Sequence, residues 1–549
     1  MSARQRLRGG VQPPSHKAGS VAGPIRDLPL PSLLILPLGD NPLLRAPGSW
    51  VGKGEPIAHG SGLPVHASTS GFIRGIEARA IDADHHGPCV LLEPDGEDRW
   101  REPPQPPPSA ALDRAGMLAA VQAAGIAGLG GGGFPTAAKL AAPGIHTLVI
   151  NAMECEPYVT ADDALMRAEA VDIVAGIRLA ARLLGTSPRI LIGIEDDKPE
   201  ALAALRNALD GDDIELTVLP ARYPAGAERL LIALLTGVEI PGDQLPIAQG
   251  LVCLNVGTVH ALQRALGHGE PLLERIVTLS GGACRVPANY RVPLGTPVAD
   301  LLAASDYERE RCAGVLLGGG MMGRPLADLQ TPVTRTTHCV LALAADEVRP
   351  APPRTCIRCG WCADVCPVAL LPQQLHRHAL AGDSGELARH HLDQCLECGA
   401  CDQVCPSAIP LAGQFGAAKA QLAHLRADRR RADRDRDRFA THQQRLARDA
   451  AARETRRGEA HAATPGKDLA ALAMARAAGS GASREPLERT AAAAADRLQR
   501  LENQLAELDA GATAARRNAL QARIAQARID HDAALRRLPP GSTDAGATP

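Results

Sequence analysis

One cysteine phrase is written twice in the C-terminal half of the chain, over Cys356–Pro367 and again over Cys395–Pro406. Each copy reads C-x2-C-x2-C-x3-C-P, the run that wraps [4Fe–4S] clusters in two-cluster iron–sulfur domains. Three thiolates carried on one tight turn can each reach a different iron. The fourth, displaced by the next turn, ligates the other cluster. The spacing therefore assigns Cys356, Cys359 and Cys362 with Cys405 to one cluster, and Cys395, Cys398 and Cys401 with Cys366 to the second. Zinc is the competing ligand, but it takes paired knuckles rather than three cysteines followed by C-P. A chain carrying this pair of runs is built to move electrons.

The remaining composition narrows the setting. At 549 residues the length suggests about three or four domains. A net charge of −2 gives no general attraction to nucleic acid or to anionic lipid, and 2% aromatic residues leave few platforms for stacking bases. No nucleic-acid partner is expected. Six further cysteines (Cys89, Cys155, Cys253, Cys284, Cys312 and Cys339) have no pairing rhythm, which suits a reducing compartment. The basic stretch Met1–Gly10 leads into no apolar run, so no signal peptide is expected. No segment reaches the ~18 apolar residues of a membrane span. Any membrane association is expected to come mainly through partners.

Composition shifts divide the chain. After an N-terminal extension, 1–34, residues 35–102 read as short strands broken by glycine and proline, the half-motifs of a barrel-sandwich of the biotinyl/lipoyl type. Lys53 lacks the Met-Lys-Met setting of a carrier lysine and is read as structural. A proline-rich linker, 103–110, is stiff. Residues 111–272 alternate helix and strand patterns: helices over 113–124, 162–184 and 199–209, strands over 146–151, 189–194 and 214–219. That alternation predicts α/β layers around a mainly parallel sheet. Residues 273–350 return to short strands resembling a β-grasp (SLBB-like) domain, and 351–414 form the ferredoxin-like domain. The tail, 415–549, is Ala/Arg-rich and is expected to be helical or disordered. Within it, 421–457 holds twelve arginines against six acids, and Leu498, Leu501, Leu505 and Leu508 repeat as one a/d seam that Gly511 breaks.

The first α/β segment contains a glycine loop, Gly128–Thr136, with Lys139 in the helix that starts there. Its formal G-x-G-x-x-G follows a helix rather than a strand, so a dinucleotide fingerprint is not supported. What remains is bare backbone running into a helix start, suited to a phosphate or to a flat ring lying on the main chain. This loop resembles the flavin loop of the complex I NADH-oxidising (51-kDa) subunit. Four further phrases follow in the same order: Asn151–Tyr158, Asp162-Asp163, Tyr223–Glu228 and Asn255–Thr258. The whole arrangement over about 35–414 is similar to the RnfC family of the Rnf-type ion-translocating oxidoreductases.

The resemblance implies non-covalent FMN. Gly130, Gly131, Gly132, Gly133 and Lys139 would cradle its phosphate and ribityl chain, and Asn151 and Glu154 would lie near the isoalloxazine. Tyr223, Gly226 and Glu228 would sit on the nicotinamide side, with Asn255 and Thr258 closing the phosphate end. Met153 and Ala227 stand where complex I carries acids, so its hydride-positioning acids are not carried over. The implied role is electron entry from NADH through FMN and two [4Fe–4S] clusters. The chain would sit peripherally on the cytoplasmic face of the inner membrane, bound to other Rnf-type subunits and to a ferredoxin-like iron–sulfur subunit. Two other readings stand beside it. One is the NADH-dependent subunit of a soluble hydrogenase-type or formate-dehydrogenase-type complex; the other is a flavin-free relay adaptor.

Overall fold

A computed structural model describes residues 7–106, 112–211, 213–242, 244–348, 352–462, 485–506 and 514–537. Two compact units divide at Arg429/Arg430.

In the first unit, strands Leu34–Pro37, His86–Pro94, Gly71–Ala80 and Trp50–Val51 pair in that spatial order. Pro56–Ala58 and Val65–His66 add a small hairpin sheet. Alternate residues such as Leu34, Leu36, Ile73, Val90 and Leu92 fill the interior, as expected of antiparallel sheets with one buried face. Lys53 bonds Asp98 at 2.6 Å and lies over the Trp100 ring, in keeping with a structural lysine. Pro107 and Pro108 of the linker fall outside the described residues.

The central layer is a four-stranded sheet in the order Glu215–Leu219, Arg189–Glu195, Thr147–Ala152, Leu251–Asn255, all parallel. Three of the strands, Arg189–Glu195, Thr147–Ala152 and Leu251–Asn255, are runs rich in Leu, Ile and Val and largely buried on both faces, the composition of a parallel sheet covered by helices. Glu215–Leu219 is the half-exposed edge. Helices Ala161–Leu184 and Val256–His268 pack on it through Ile173, Val174, Ile177, Val259 and Leu262. After Thr147–Ala152 the chain builds outward to one side, then returns and lays Leu251–Asn255 on the other. The strand order therefore reverses between these two neighbours. Such a switch point leaves a crevice at the carboxyl ends of the strands, where ligands of open α/β sheets bind.

A six-stranded mixed sheet follows, in the order Arg26–Asp27, Ala288–Pro293, Glu274–Ser280, Cys339–Ala344, Cys312–Leu317, Arg324–Pro325. Helix Val298–Ala303 packs on it through Val298, Leu301 and Leu302. Beyond it, short helices Trp361–Asp364 and Ala400–Gln403 carry the cysteine motifs. Leu375, Leu387, Phe415 and Leu422 bury beneath them.

In the second unit, helices Glu485–Ala506 and Ala514–Leu535 pair through Leu501, Leu520, Ile524 and Ala527, with Leu498 and Leu505 alongside. Leu508 and Gly511 lie outside the described residues. Helix Leu411–Ala462 crosses the boundary between the units, and beyond Leu422 its described residues are exposed.

Candidate redox site

The eight motif cysteines separate into two groups of four. Cys356, Cys359, Cys362 and Cys405 line one cavity. Cys366, Cys395, Cys398 and Cys401 line another. The exchange of the fourth cysteine between the runs follows from the local backbone. Arg358 and Glu397 take the same left-handed conformation in the two copies, with φ of 57° and 54°. So do Gly360 and Gly399, and so do Ala369 and Ala408. Left-handed turns are costly for residues with a Cβ, and here they recur in register, curling each run so that its first three thiols converge while the fourth is carried to the other cavity. Backbone N–H groups already point at sulfur: Leu370 N lies 3.3 Å from Cys366 Sγ and Glu397 N 3.4 Å from Cys395 Sγ.

Burial pushes the Cys395 thiol up to about 11, and burial with the neighbouring Asp402 charge pushes Cys401 up further. Four converging thiols can ionise together only against a compensating cation. Iron supplies one, and so the donor sets fit [4Fe–4S] clusters.

The glycine loop lies at the switch point of the parallel sheet. Asn151 and Asn255 are register partners at the carboxyl ends of the two strands where the order reverses. A Cβ on Gly130 would lie 3.3 Å from the Asn255 Cβ. Thr258 Oγ accepts from Leu129 N at 2.9 Å, and Arg275 donates to the Leu129 carbonyl at 2.7 Å, so the loop is pinned from both sides. At its tip, a Cβ on Gly131 or Gly132 would meet nothing within 4 Å. Gly131 also needs its φ of +96°, which favours glycine. Thr136 follows the loop with a buried hydroxyl that has no protein partner. The helix there spans only Thr136–Leu140, so any anion would be held by open backbone more than by a helix dipole. Bare main chain, an unpartnered hydroxyl and the Lys139 ammonium fit a phosphorylated flat ligand such as FMN.

The remaining sequence-predicted residues converge on the same sheet edge. Lys139 Nζ donates to Glu228 at 2.7 Å and to the Cys253 carbonyl at 2.7 Å. Asn151 Nδ2 donates to the Gly226 carbonyl at 2.8 Å, while its Oδ1 accepts from Met153 N. Asn255 caps helix Val256–His268 and donates to Asp162 Oδ2 at 2.6 Å. Glu154 lies beneath the edge, its carboxylate accepting from Asp162 N and Asp163 N at 2.8 and 3.1 Å. Burial and then the Asp162 charge raise its pKa to about 8. Tyr223, expected on the nicotinamide side, is instead buried with its hydroxyl donating to the Cys398 carbonyl at 2.5 Å, so it joins this edge to the second cysteine motif.

Four residues here carry no signal in the sequence. Lys17 and Lys198 both donate to the Glu154 carbonyl, Lys198 also pairs with buried Glu195, and Arg275 buttresses the glycine loop. Lys17 and Glu154 are 137 residues apart, and no local pattern announces such a contact. Cys155 is packed against the Tyr223 and Cys398 cluster, and burial lifts its thiol to about 12, as expected of an inert core thiol.

Residues 121–264 match the family model described as the Nuo51 FMN-binding domain, residues 5–97 the RnfC barrel sandwich hybrid domain, and residues 353–409 a 4Fe-4S dicluster domain. A Pseudomonas aeruginosa protein, named as the C component of an ion-translocating oxidoreductase complex, is 46% identical over 465 residues, covering 82% of this chain. A Yersinia pestis protein of the same name is 44% identical over 465 residues, covering 82% of this chain and 75% of that one. An Erwinia tasmaniensis protein, also so named, is 42% identical over 85% of this chain. The chain spans 60% of the length of the Pseudomonas and Erwinia proteins. A solved NAD+-reducing [NiFe]-hydrogenase aligns at 21% identity and a TM-score of 0.41, over 58% of this chain and 67% of that one, too loosely to carry an argument.

Proposed function

Because the chain belongs to the RnfC family of ion-translocating oxidoreductase complexes, we propose that it is the electron-entry subunit of such a complex, working between NADH and a ferredoxin-type partner. The observation that carries this reading is the presence, in one compact unit, of two four-thiol cavities and a switch-point glycine cradle. When bound, FMN supplies the conversion between a two-electron hydride and single electrons, and each [4Fe–4S] cluster carries one electron.

The residues would divide the work as follows. Gly130 to Gly133 and Lys139 hold the phosphate end, with Thr136 offering its unpartnered hydroxyl. Asn151, fixed by the Gly226 carbonyl and Met153 N, orients the ring face, and Glu154 braces the start of helix Ala161–Leu184 beneath it. Gly226 and Glu228 lie on the nicotinamide side. Asn255 and Thr258 lock the loop to helix Val256–His268. Tyr223 seals the boundary with the second motif and keeps water from the path. Electron exit fits the other cavity, where Cys359, Ile357 and Trp361 are exposed. Arg354 and Arg358 stand beside it, exposed. An apolar and basic rim of this kind suits an acidic iron–sulfur partner.

The boundaries proposed from sequence (1–34, 35–102, 103–110, 111–272, 273–350, 351–414, 415–549) accompany this reading. A β-grasp assignment for 273–350 is supported by the mixed sheet, its second, first, fifth, third and fourth strands lying side by side with one helix across them. No described helix is long and apolar enough to cross a membrane. Peripheral attachment on the cytoplasmic face, through partner subunits, fits that.

Anaerobic isolation should yield one acid-releasable FMN and about eight irons per chain. Gly132→Val should remove the flavin and leave the iron, because Gly132 has no positive φ and the added side chain fills only the space over the loop. A wild-type chain with full iron and no flavin would give the relay-adaptor reading instead.

A further inference from the structure

The N-terminal segment enters the boundary between the flavin edge and the second cysteine motif. Gly10 N donates to the Val365 carbonyl at 2.8 Å, Val11 N donates to the Tyr223 carbonyl at 2.8 Å, and Tyr223 N returns a bond to Val11 at 3.0 Å. One short stretch thus hydrogen-bonds both to the residue preceding Cys366 and to the tyrosine whose hydroxyl holds the Cys398 carbonyl.

Two glycines make the fit. Gly9 has φ of +61°, and a Cβ there would lie 2.7 Å from the Val365 oxygen and 2.8 Å from the Cys366 oxygen. Gly10 has φ of +76°, and its Cβ would lie 2.6 Å from the Tyr223 oxygen. The nearest obstructing atom at each is backbone, so it yields only if the two sides move apart. Val11, Tyr223, Cys398 and Ala400 close over the stretch as one apolar cluster. Farther along, Ser15 accepts from Tyr158 N at 2.8 Å, the His16 ring stacks on Tyr158, and Lys17 donates to the Glu154 carbonyl. The segment is therefore tied to the sheet edge at one end and wedged against the ferredoxin domain at the other.

We propose that Gly9–Val11 is a splint that sets the gap between the flavin cradle and the cavity of Cys366, Cys395, Cys398 and Cys401, with Gly9 and Gly10 as positioning residues. This rests on reading those two sites as places for FMN and a cluster. In each transfer one electron leaves the reduced flavin for an oxidised cluster across this gap; NADH is the reductant. Transfer falls steeply with distance, so a wedge that opens the gap slows the step without removing either cofactor.

The test uses full-length protein carrying Gly9→Ala or Gly10→Ala, and a chain that begins at Gln12. Gly39→Ala is the control, since Gly39 has a positive φ with open space around it. Iron and flavin content and the rate of flavin bleaching on mixing with NADH should match wild type in every case. Cluster bleaching, followed by absorbance and by low-temperature EPR of the reduced clusters, should slow by at least about tenfold in both alanine variants and in the shortened chain, and not in Gly39→Ala. Wild-type cluster bleaching in both alanine variants would overturn the proposal. Loss of iron from both would overturn it too, by making these glycines part of the cluster fold rather than of the gap. A wild-type chain that never bleaches with NADH would instead remove the functional reading beneath it.

Discussion

At the residue scale, the cysteine spacing carries a specific consequence. Cys405 belongs to the second run by sequence and lines the cavity of Cys356, Cys359 and Cys362. Cys405→Ala should therefore perturb the cluster of the first run and spare the other. Resonance Raman or EPR that showed the second-run cluster lost instead would reverse the assignment. The glycine loop itself was also legible, because a run of bare backbone leaves a composition mark. Lys17, Lys198 and Arg275 were not. Each acts on a carbonyl or carboxylate distant in sequence, and a lysine or arginine that braces a loop looks, in one dimension, like any surface cation.

Elements are legible where periodicity is strong. The helix expected at 162–184 spans Ala161–Leu184, and the strand expected at 189–194 spans Arg189–Glu195. Helix Glu228–Thr236 and strand Leu251–Asn255 have no counterpart among the expected elements. Leu251–Asn255 is a short apolar run buried on both faces, and it shows no alternation to separate it from a helix segment. That strand creates the switch point, so the meeting of the glycine loop with Asn255 came from the structure. Helix Ala161–Leu184 also carries a pH dependence. Glu154 accepts from the first N–H groups of this helix, with its pKa raised from 4.5 to about 8. Between those values the unfolded chain has released the proton and the folded chain keeps it. Stability from this group is thus full below about 4.5 and declines as pH rises toward 8. Glu154→Gln should flatten that decline. Denaturation midpoints at pH 5 and pH 8 check it: a smaller difference between them in the variant is the expected result, and an unchanged difference would contradict it.

At the scale of the whole molecule, the domain order was visible because each domain leaves its own signature: glycine-punctuated strands, βα alternation, then doubled cysteines. Their mutual placement was not visible. The joint made by Gly10, Tyr223 and Cys398 draws on three segments that share no local pattern. In the tail, the Leu498–Leu505 seam was legible, while its partner helix, bearing Leu520 and Ile524, follows later in the sequence and shows no continuation of that repeat. If one chain accepts hydride electrons and distributes them over a flavin and two clusters, its electron capacity is fixed. An anaerobic titration of the isolated chain with NADH, completed with a stronger reductant and followed by flavin and cluster absorbance, measures that capacity. The expected endpoint is about four electrons per chain, two at the flavin and one at each cluster, with NADH alone bleaching the flavin. An endpoint of about two electrons, with NADH bleaching nothing, would contradict it.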